Sequence, residues 1–342
     1  MTAGSFGGCF GLETALRSSP PPFSAVNAQY FLNVRCALSS LIHVLRPRSA
    51  WLPSYLCPTL LEPFLSSGVK IRYYGVDENL RLADYRWLND VRGGDFVIAI
   101  HYFGVPLSDF PAAEATRREA YIIEDSSQAL FLPQQFEESL CVLYSPRKFV
   151  GVPDGCVLTS IRETGTESLE LEAPPSEWWN AALAMTVQRR EFDLTAHASD
   201  WYARFQYVES NFPLGLYRAS DLSRALLTCG IDYEAIRKRR RVNYQVLLDL
   251  LGDYALFPEI PEQVVPLGFP VRIDSRIRDR VLERLYSSRV YAPVHWKIED
   301  TVPELFEQSH KLAHSSLTLI CDQRYSPDEM ILEADEFVKA LS

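Results

Sequence analysis

Short apolar runs bounded by turn residues alternate with stretches of helical spacing over the first half of the chain. Runs at 51–53, 69–76, 96–101, 121–123, 141–144 and 156–159 are short and β-rich, so they predict buried strands. Between them Asn33 reads as an N-cap. After it Val34, Ala37, Leu38, Leu41, Ile42 and Leu45 repeat at helical spacing. Further helical stretches fall at 58–65 and 80–88. Strand alternating with helix in this way predicts a parallel sheet with crossover helices. The prolines of 18–23 mark a loop that cannot continue a helix.

Beyond 159 the pattern changes. A polar, acidic linker at 163–175 precedes helical stretches at 177–195, 219–227 and 233–251. A strand at 265–273, a helix at 276–287, a short strand near Val290, a strand at 317–320 and a helix at 327–341 then read as a second, smaller unit. The expected division is a large domain at 1–235, with an N-terminal arm at 1–24, and a small α/β domain at 236–342. No internal repeat or low-complexity tract is present.

Composition narrows the function. The 342 residues are 47% apolar and 23% charged, an ordinary globular balance long enough for two domains. A net charge of −10 argues against generic nucleic-acid binding. The basic run Arg237-Lys238-Arg239-Arg240-Arg241 reads as a solvated helix face, the alternative being a phosphate patch. Seven cysteines without CxxC spacing fit neither a disulfide framework nor a zinc site and suit a reducing cytoplasm. No apolar run approaches the about 20 residues that span a bilayer, and the first residues lack the pattern of a signal peptide. A cytoplasmic protein without a membrane span is expected.

The candidate chemistry lies at 121–160. Asp125 follows one strand-like run and Lys148 another, and a glycine-bearing turn, 151–155, comes next. In open α/β sheets ligands sit beyond the carboxyl ends of the strands, so both side chains are expected in one crevice. A lysine amine and a carboxylate suit pyridoxal phosphate: the amine forms a Schiff base, and the acid partners the pyridine nitrogen. A structural ion pair at strand ends fits the same residues. The helix start at Asn33, with Arg35 and Cys36 in its first turn, offers free N–H groups and a positive dipole end to a phosphate, or is simply a capped helix.

These features, in this order, resemble the DegT/DnrJ/EryC1/StrS family of PLP-dependent nucleotide-sugar aminotransferases. The resemblance runs from about Phe31 to the end. Its strongest parts are PSYLCPT (53–59), VIAIHYFGVP (97–106), IIEDSSQA (122–129) and YSPRKFVGVPDGC (144–156). A divergent branch is marked by GGCFGLE (7–13), YSPRKFVGVPDG (144–155) and DQRY (322–325). The resemblance implies PLP fold type I, the aspartate aminotransferase-like α/β architecture: a large domain with a mainly parallel mixed sheet, plus a smaller C-terminal domain. It implies that Lys148 forms the Schiff base and shuttles the proton, and that Asp125 binds the pyridine nitrogen. Gln128 would sit near the ring hydroxyl, Cys57 against the ring, and Arg35, Cys36 and Ser145 at the phosphate. His101, Tyr102, His295, Trp296 and Arg324 are expected near the cofactor or substrate, although His101 taken alone reads more readily as a satisfied core histidine and Arg324 equally as a domain-packing salt bridge. A nucleotide-sugar substrate, an amino-acid donor such as glutamate, and a homodimer are implied as partners.

The chain also departs from that pattern. Asn33-Val34-Arg35-Cys36 stands where relatives carry Ser-Gly-Thr, with Arg35 replacing hydroxyl contacts. Leu143 replaces a serine five residues before the lysine, and Ser145 lies closer. Leu216-Tyr217-Arg218 replaces the Asn-Tyr-Arg segment that reaches the partner's phosphate. These changes motivate two alternatives: a non-catalytic binding or regulatory subunit on the same fold, and PLP chemistry other than transamination.

Overall fold

The structure, a computed structural model, describes residues 5–14, 18–23, 27–160, 162–196 and 200–342. Residues 1–4, 15–17 and 24 of the expected arm lie outside the described residues. Among the described residues seven strands form the main sheet: β2 (Gln29–Phe31), β3 (Ser49–Pro53), β4 (Lys70–Tyr74), β5 (Phe96–Ile100), β6 (Tyr121–Ser126), β7 (Cys141–Tyr144) and β8 (Cys156–Thr159), with β1 (Phe6–Gly7) lying apart. Their spatial order is β2-β8-β7-β6-β5-β3-β4. The pairings from β4 to β7 are parallel, whereas β8 runs antiparallel to β7 and β2 antiparallel to β8. The expected mainly parallel, mixed sheet is therefore the observed one. β5, β7 and β8 are buried along their whole length, which is why each reads as an unbroken apolar run.

Helix α1 (Val34–Leu45) packs on this sheet. Asn33 caps it, its side chain accepting from Cys36 N at 2.9 Å, and Cys36, Ala37, Leu38, Leu41 and Ile42 form its buried stripe. The stretch at 58–65 forms a 3₁₀ turn, Pro58–Leu61, that runs into α2 (Glu62–Ser66). The helix expected at 80–88 is absent; only Arg86–Asp90 forms a 3₁₀ turn. Asp77 Oδ1 instead accepts from Asn79 N and Arg81 N, and Leu80 takes a positive φ of 59°, which a helix cannot contain. The short α3 (Ala112–Arg117) follows β5.

Past β8 come α4 (Ser176–Thr195), α5 (Trp201–Ser210), α6 (Asp221–Cys229) and α7 (Tyr233–Leu251). Then β9 (Phe269–Arg272), α8 (Ser275–Ser287), β10 (Val290–Tyr291), α9 (Glu307–Ser315), β11 (Ser316–Leu319) and α10 (Pro327–Leu341) complete the chain. Phe269, Val271, Leu285, Leu317, Leu319 and Phe337 belong to a second core around the β9–β11 pair. α7 serves both cores, placing Tyr233 and Ile236 against the main-sheet side and Tyr244, Leu247 and Leu251 in the second. The basic run at 237–241 is not wholly solvated: Arg240 is fully buried, and Arg241 donates to Pro261 O and Val264 O. β1 pairs in parallel with β10, so the N-terminal segment docks on the second core. None of the described helices is long and apolar enough to cross a membrane.

Candidate active site

The β6–β7 register places Asp125 opposite Leu143 and Ser126 opposite Tyr144. Both strands run the same way, so the carboxyl end of β6 and the turn leaving β7 share one edge of the sheet. That turn carries Lys148 at the end of a 3₁₀ segment, Pro146–Lys148, before the chain reverses into antiparallel β8. Asp125 is buried, and its Oδ1 accepts from Ser127 N at 2.8 Å. Its second carboxylate oxygen has no protein partner among the described residues. Lys148 is exposed and its amine pairs with no described carboxylate, so the strand-end ion pair that the sequence also allowed is not formed.

Both residues line a cavity of about 390 Å³ at the carboxyl edge, a size suited to a small cofactor. Of the residues expected to form the site, Arg35, Cys57, Gln128, Ser145 and Trp296 also line it. Gln128 Oε1 accepts from Phe103 N at 3.0 Å, while its Nε2 is buried without a partner. A buried donor left open costs stability unless something accepts from it. A larger depression of about 720 Å³ at Tyr30, Arg218 and Arg224 contains neither Asp125 nor Lys148.

One end of the cavity holds a helix start and two arginine–glutamate ion pairs. α1 begins there, and the N–H groups of Val34 and Arg35 in its first turn have no acceptor within the helix. Arg35 pairs with Glu62, and Arg147 with Glu209 at 2.7 Å. Both guanidinium groups lie over the Phe212 ring, at 5.1 Å for Arg35 and 4.7 Å for Arg147. Asn33 Nδ2 donates to Pro213 O at 3.0 Å, tying the start of α1 to the same segment. Arg147, Glu209 and Phe212 were not anticipated. Arg147 sits inside the lysine motif and could have been singled out, whereas Glu209 lies in the last turn of α5 and Phe212 follows it, where no motif marks them.

Five expected residues do not line the cavity. Cys36 faces the core from α1, its N–H already donating to Asn33, and burial pushes its thiol up to about 11. His101 is fully buried: Leu107 N donates to its Nδ1 at 3.0 Å, so the proton lies on Nε2, which bonds Glu124 at 2.9 Å. Tyr102 donates its hydroxyl to Tyr55 O at 2.5 Å, and burial holds its pKa well above the usual phenol range. His295 Nδ1 lies 3.0 Å from Thr318 Oγ1; burial first, then the Lys148 charge, push its pKa down to about 3. Arg324 is closed on Asp322 through two hydrogen bonds, and it donates to Cys9 O and Gly8 O.

No family model matches the chain, and no curated protein matches it significantly. Solved structures do. The aminotransferase TlmJ from Streptoalloteichus hindustanus is 17% identical over 93% of this chain and 86% of its own, with a TM-score of 0.66. A DegT DnrJ EryC1 StrS aminotransferase from Brucella abortus is 14% identical over 91% of this chain and 85% of its own, at 0.61. NtdA from Bacillus subtilis, solved with bound PMP, is 13% identical over 92% of this chain and 73% of its own, at 0.63. At these identities the likeness shows the fold: the α/β architecture of PLP fold type I.

Proposed function

We propose that this chain is a PLP-dependent aminotransferase that acts, as a homodimer, on a keto sugar carried by a nucleotide, with glutamate as amino donor. One observation carries the reading: Asp125, with an open carboxylate oxygen, and Lys148, with an unpaired amine, line one cavity beside the orphaned Gln128 amide. The same residues fit pyridoxal phosphate group by group. Asp125 would hold a proton on the ring nitrogen. Gln128 Nε2 would donate to the ring hydroxyl oxygen. The first-turn N–H groups of α1, with Arg35 and Arg147, would bind the phosphate. When bound, the cofactor supplies an electron sink for cleavage of the bond between Cα and hydrogen. Lys148 is the attachment point, and its Nζ then takes and returns the proton at Cα. Cys57 and Trp296 line the same cavity and would help keep water from the ring. The named activities of the structurally similar enzymes support the aminotransferase reading; the sugar class, the donor and the dimer rest on the motif resemblance.

The test is the absorption spectrum of the purified protein, before and after addition of PLP, with Lys148→Ala alongside, followed by assay of 2-oxoglutarate release from glutamate. A visible band in the wild type alone, bleached by glutamate with release of the oxo acid, is the expected result. No band in either protein after PLP addition would overturn the assignment.

A further inference from the structure

The three motifs 7–13, 144–155 and 322–325 are far apart in the chain and meet at one place. Gln323 Nε2 donates to Phe149 O at 2.6 Å, and Phe149 is the residue after Lys148. Gln323 Oε1 accepts from Arg240 Nε at 2.8 Å, which fixes the orientation of the amide. Arg240 is fully buried, anchored on Pro266 O and Leu267 O, and its guanidinium lies 4.7 Å over the Phe149 ring. Phe10 lies near the same cation, its ring 5.8 Å from Arg240 and 4.3 Å from Arg324. From the N-terminal segment, Glu13 N donates to Gly151 O at 2.8 Å, and Glu13 Oε1 accepts from Gly151 N at 3.2 Å. A Cβ at Gly151 would lie 1.6 Å from Gly11 O, so only glycine permits this approach.

The lysine turn is thus held by groups that do not line the cavity. We infer that Gln323 is a positioning residue for Lys148. It acts through the Phe149 carbonyl, with Arg240 setting its orientation and the N-terminal segment bracing the turn two residues further on. The turn's own bonds are short-range, Lys148 N to Ser145 O and Phe149 N and Val150 N to Pro146 O. A turn closed only by such bonds opens readily, and an amine that must reach one atom needs a fixed base. The role assigned to Lys148 rests on the proposed cofactor chemistry; the hold on the turn does not.

The discriminating variant is Gln323→Glu. It keeps the acceptor facing Arg240, with added charge, and replaces the donor facing Phe149 O by an oxygen that cannot donate to it and repels it. In full-length protein, with and without PLP, the amides of 148–150 should exchange with deuterium roughly tenfold faster, the scale of one lost hydrogen bond. The amides of α7, β9 and β11 should exchange as in the wild type. Where the visible band forms, the pH at which it titrates should move from the wild-type value. Gln323→Met, which removes both bonds, should loosen the turn and is the fallback if the glutamate variant does not fold. Unchanged exchange at 148–150, or faster exchange spread over α7 and the second core as well, would overturn the positioning role. A wild type without the visible band would overturn the cofactor reading, while the exchange result would still decide the hold on the turn.

Discussion

Asp125 on β6 lies opposite Leu143 on β7 in parallel register, and Ile100 on β5 lies opposite Asp125. Ile100 and Asp125 both line the cavity. Because side chains alternate along a strand, their neighbours point the other way: Glu124 and His101 meet on the opposite face, buried and bonded at 2.9 Å. The sheet therefore sorts two adjacent acidic residues into two tasks. Asp125 faces the cavity with an oxygen to spare. Glu124 is saturated by His101, Gln135 N, Phe136 N and Ser139 Oγ.

That sorting makes His101 a stability residue. His101→Ala should lower unfolding stability by about 3 kcal/mol, because it strips a partner from a buried carboxylate and leaves a cavity. Urea denaturation measures this. The PLP difference spectrum of the folded fraction should be unaltered. Loss of the spectrum with stability intact would instead place His101 in the site.

Lys148 is exposed and unpaired, so Lys148→Ala should fold with a stability within about 0.5 kcal/mol of the wild type. Its visible absorption with PLP should vanish. Asp125→Asn keeps an acceptor for Ser127 N but loses the charge; its turnover of glutamate should fall at least about a hundredfold, as when one electrostatic group is removed from a preorganised site. Turnover near wild type for Asp125→Asn would remove this residue from the ring nitrogen.

The strand ends and the lysine turn were legible in the sequence because their chemistry is local. The apolar runs of β5, β7 and β8 announce strands buried on both faces, and Asn33 announces a helix start. Gln128, Asp125 and Lys148 follow from motif and strand end together. What could not be read was partnership across the fold. Tyr102 looked available, yet it is spent on Tyr55 O, and of the two readings open for Arg324 the structure takes the packing salt bridge, to Asp322, with further bonds to the N-terminal segment. Spacing at 80–88 looked helical, but the Asp77 side chain captures the backbone N–H groups first. Glu209 and Phe212 reach the cavity only because α4 and α5 return the chain there, a placement no local pattern encodes.

Arg35 and Arg147 should act on the phosphate and not on the ring. Each charge-assisted contact is worth about 1.5–3 kcal/mol, so Arg35→Ala or Arg147→Ala should weaken PLP binding roughly 10- to 100-fold. Binding of pyridoxal, which lacks the phosphate, should be unchanged in both variants. Fluorescence titration with the two ligands separates the cases. Equal losses for both ligands would mean that the arginines shape the cavity as a whole.

Glu333 gives a prediction about pH. It is fully buried in α10, its Oε1 accepting from Ile320 N at 2.8 Å while Oε2 has no partner. Burial, with a smaller contribution from Asp322, raises its pKa well above the usual carboxylate range. Between the unfolded value of about 4.3 and the raised folded value, the folded chain holds a proton that the unfolded chain has released. Stability must therefore fall as pH rises through that window. Glu333→Gln keeps the acceptor for Ile320 N and cannot ionise. Its Tm should exceed the wild type's at pH 7–8 by roughly 2–4 °C, and the gap should narrow toward pH 4, where the wild-type side chain is mostly protonated in both states. A calorimetric series over this range checks both sign and window. A gap that is constant with pH would mean that the effect is packing, and a lower Tm for the variant at pH 8 would mean that Glu333 is charged in the folded chain and stabilised there.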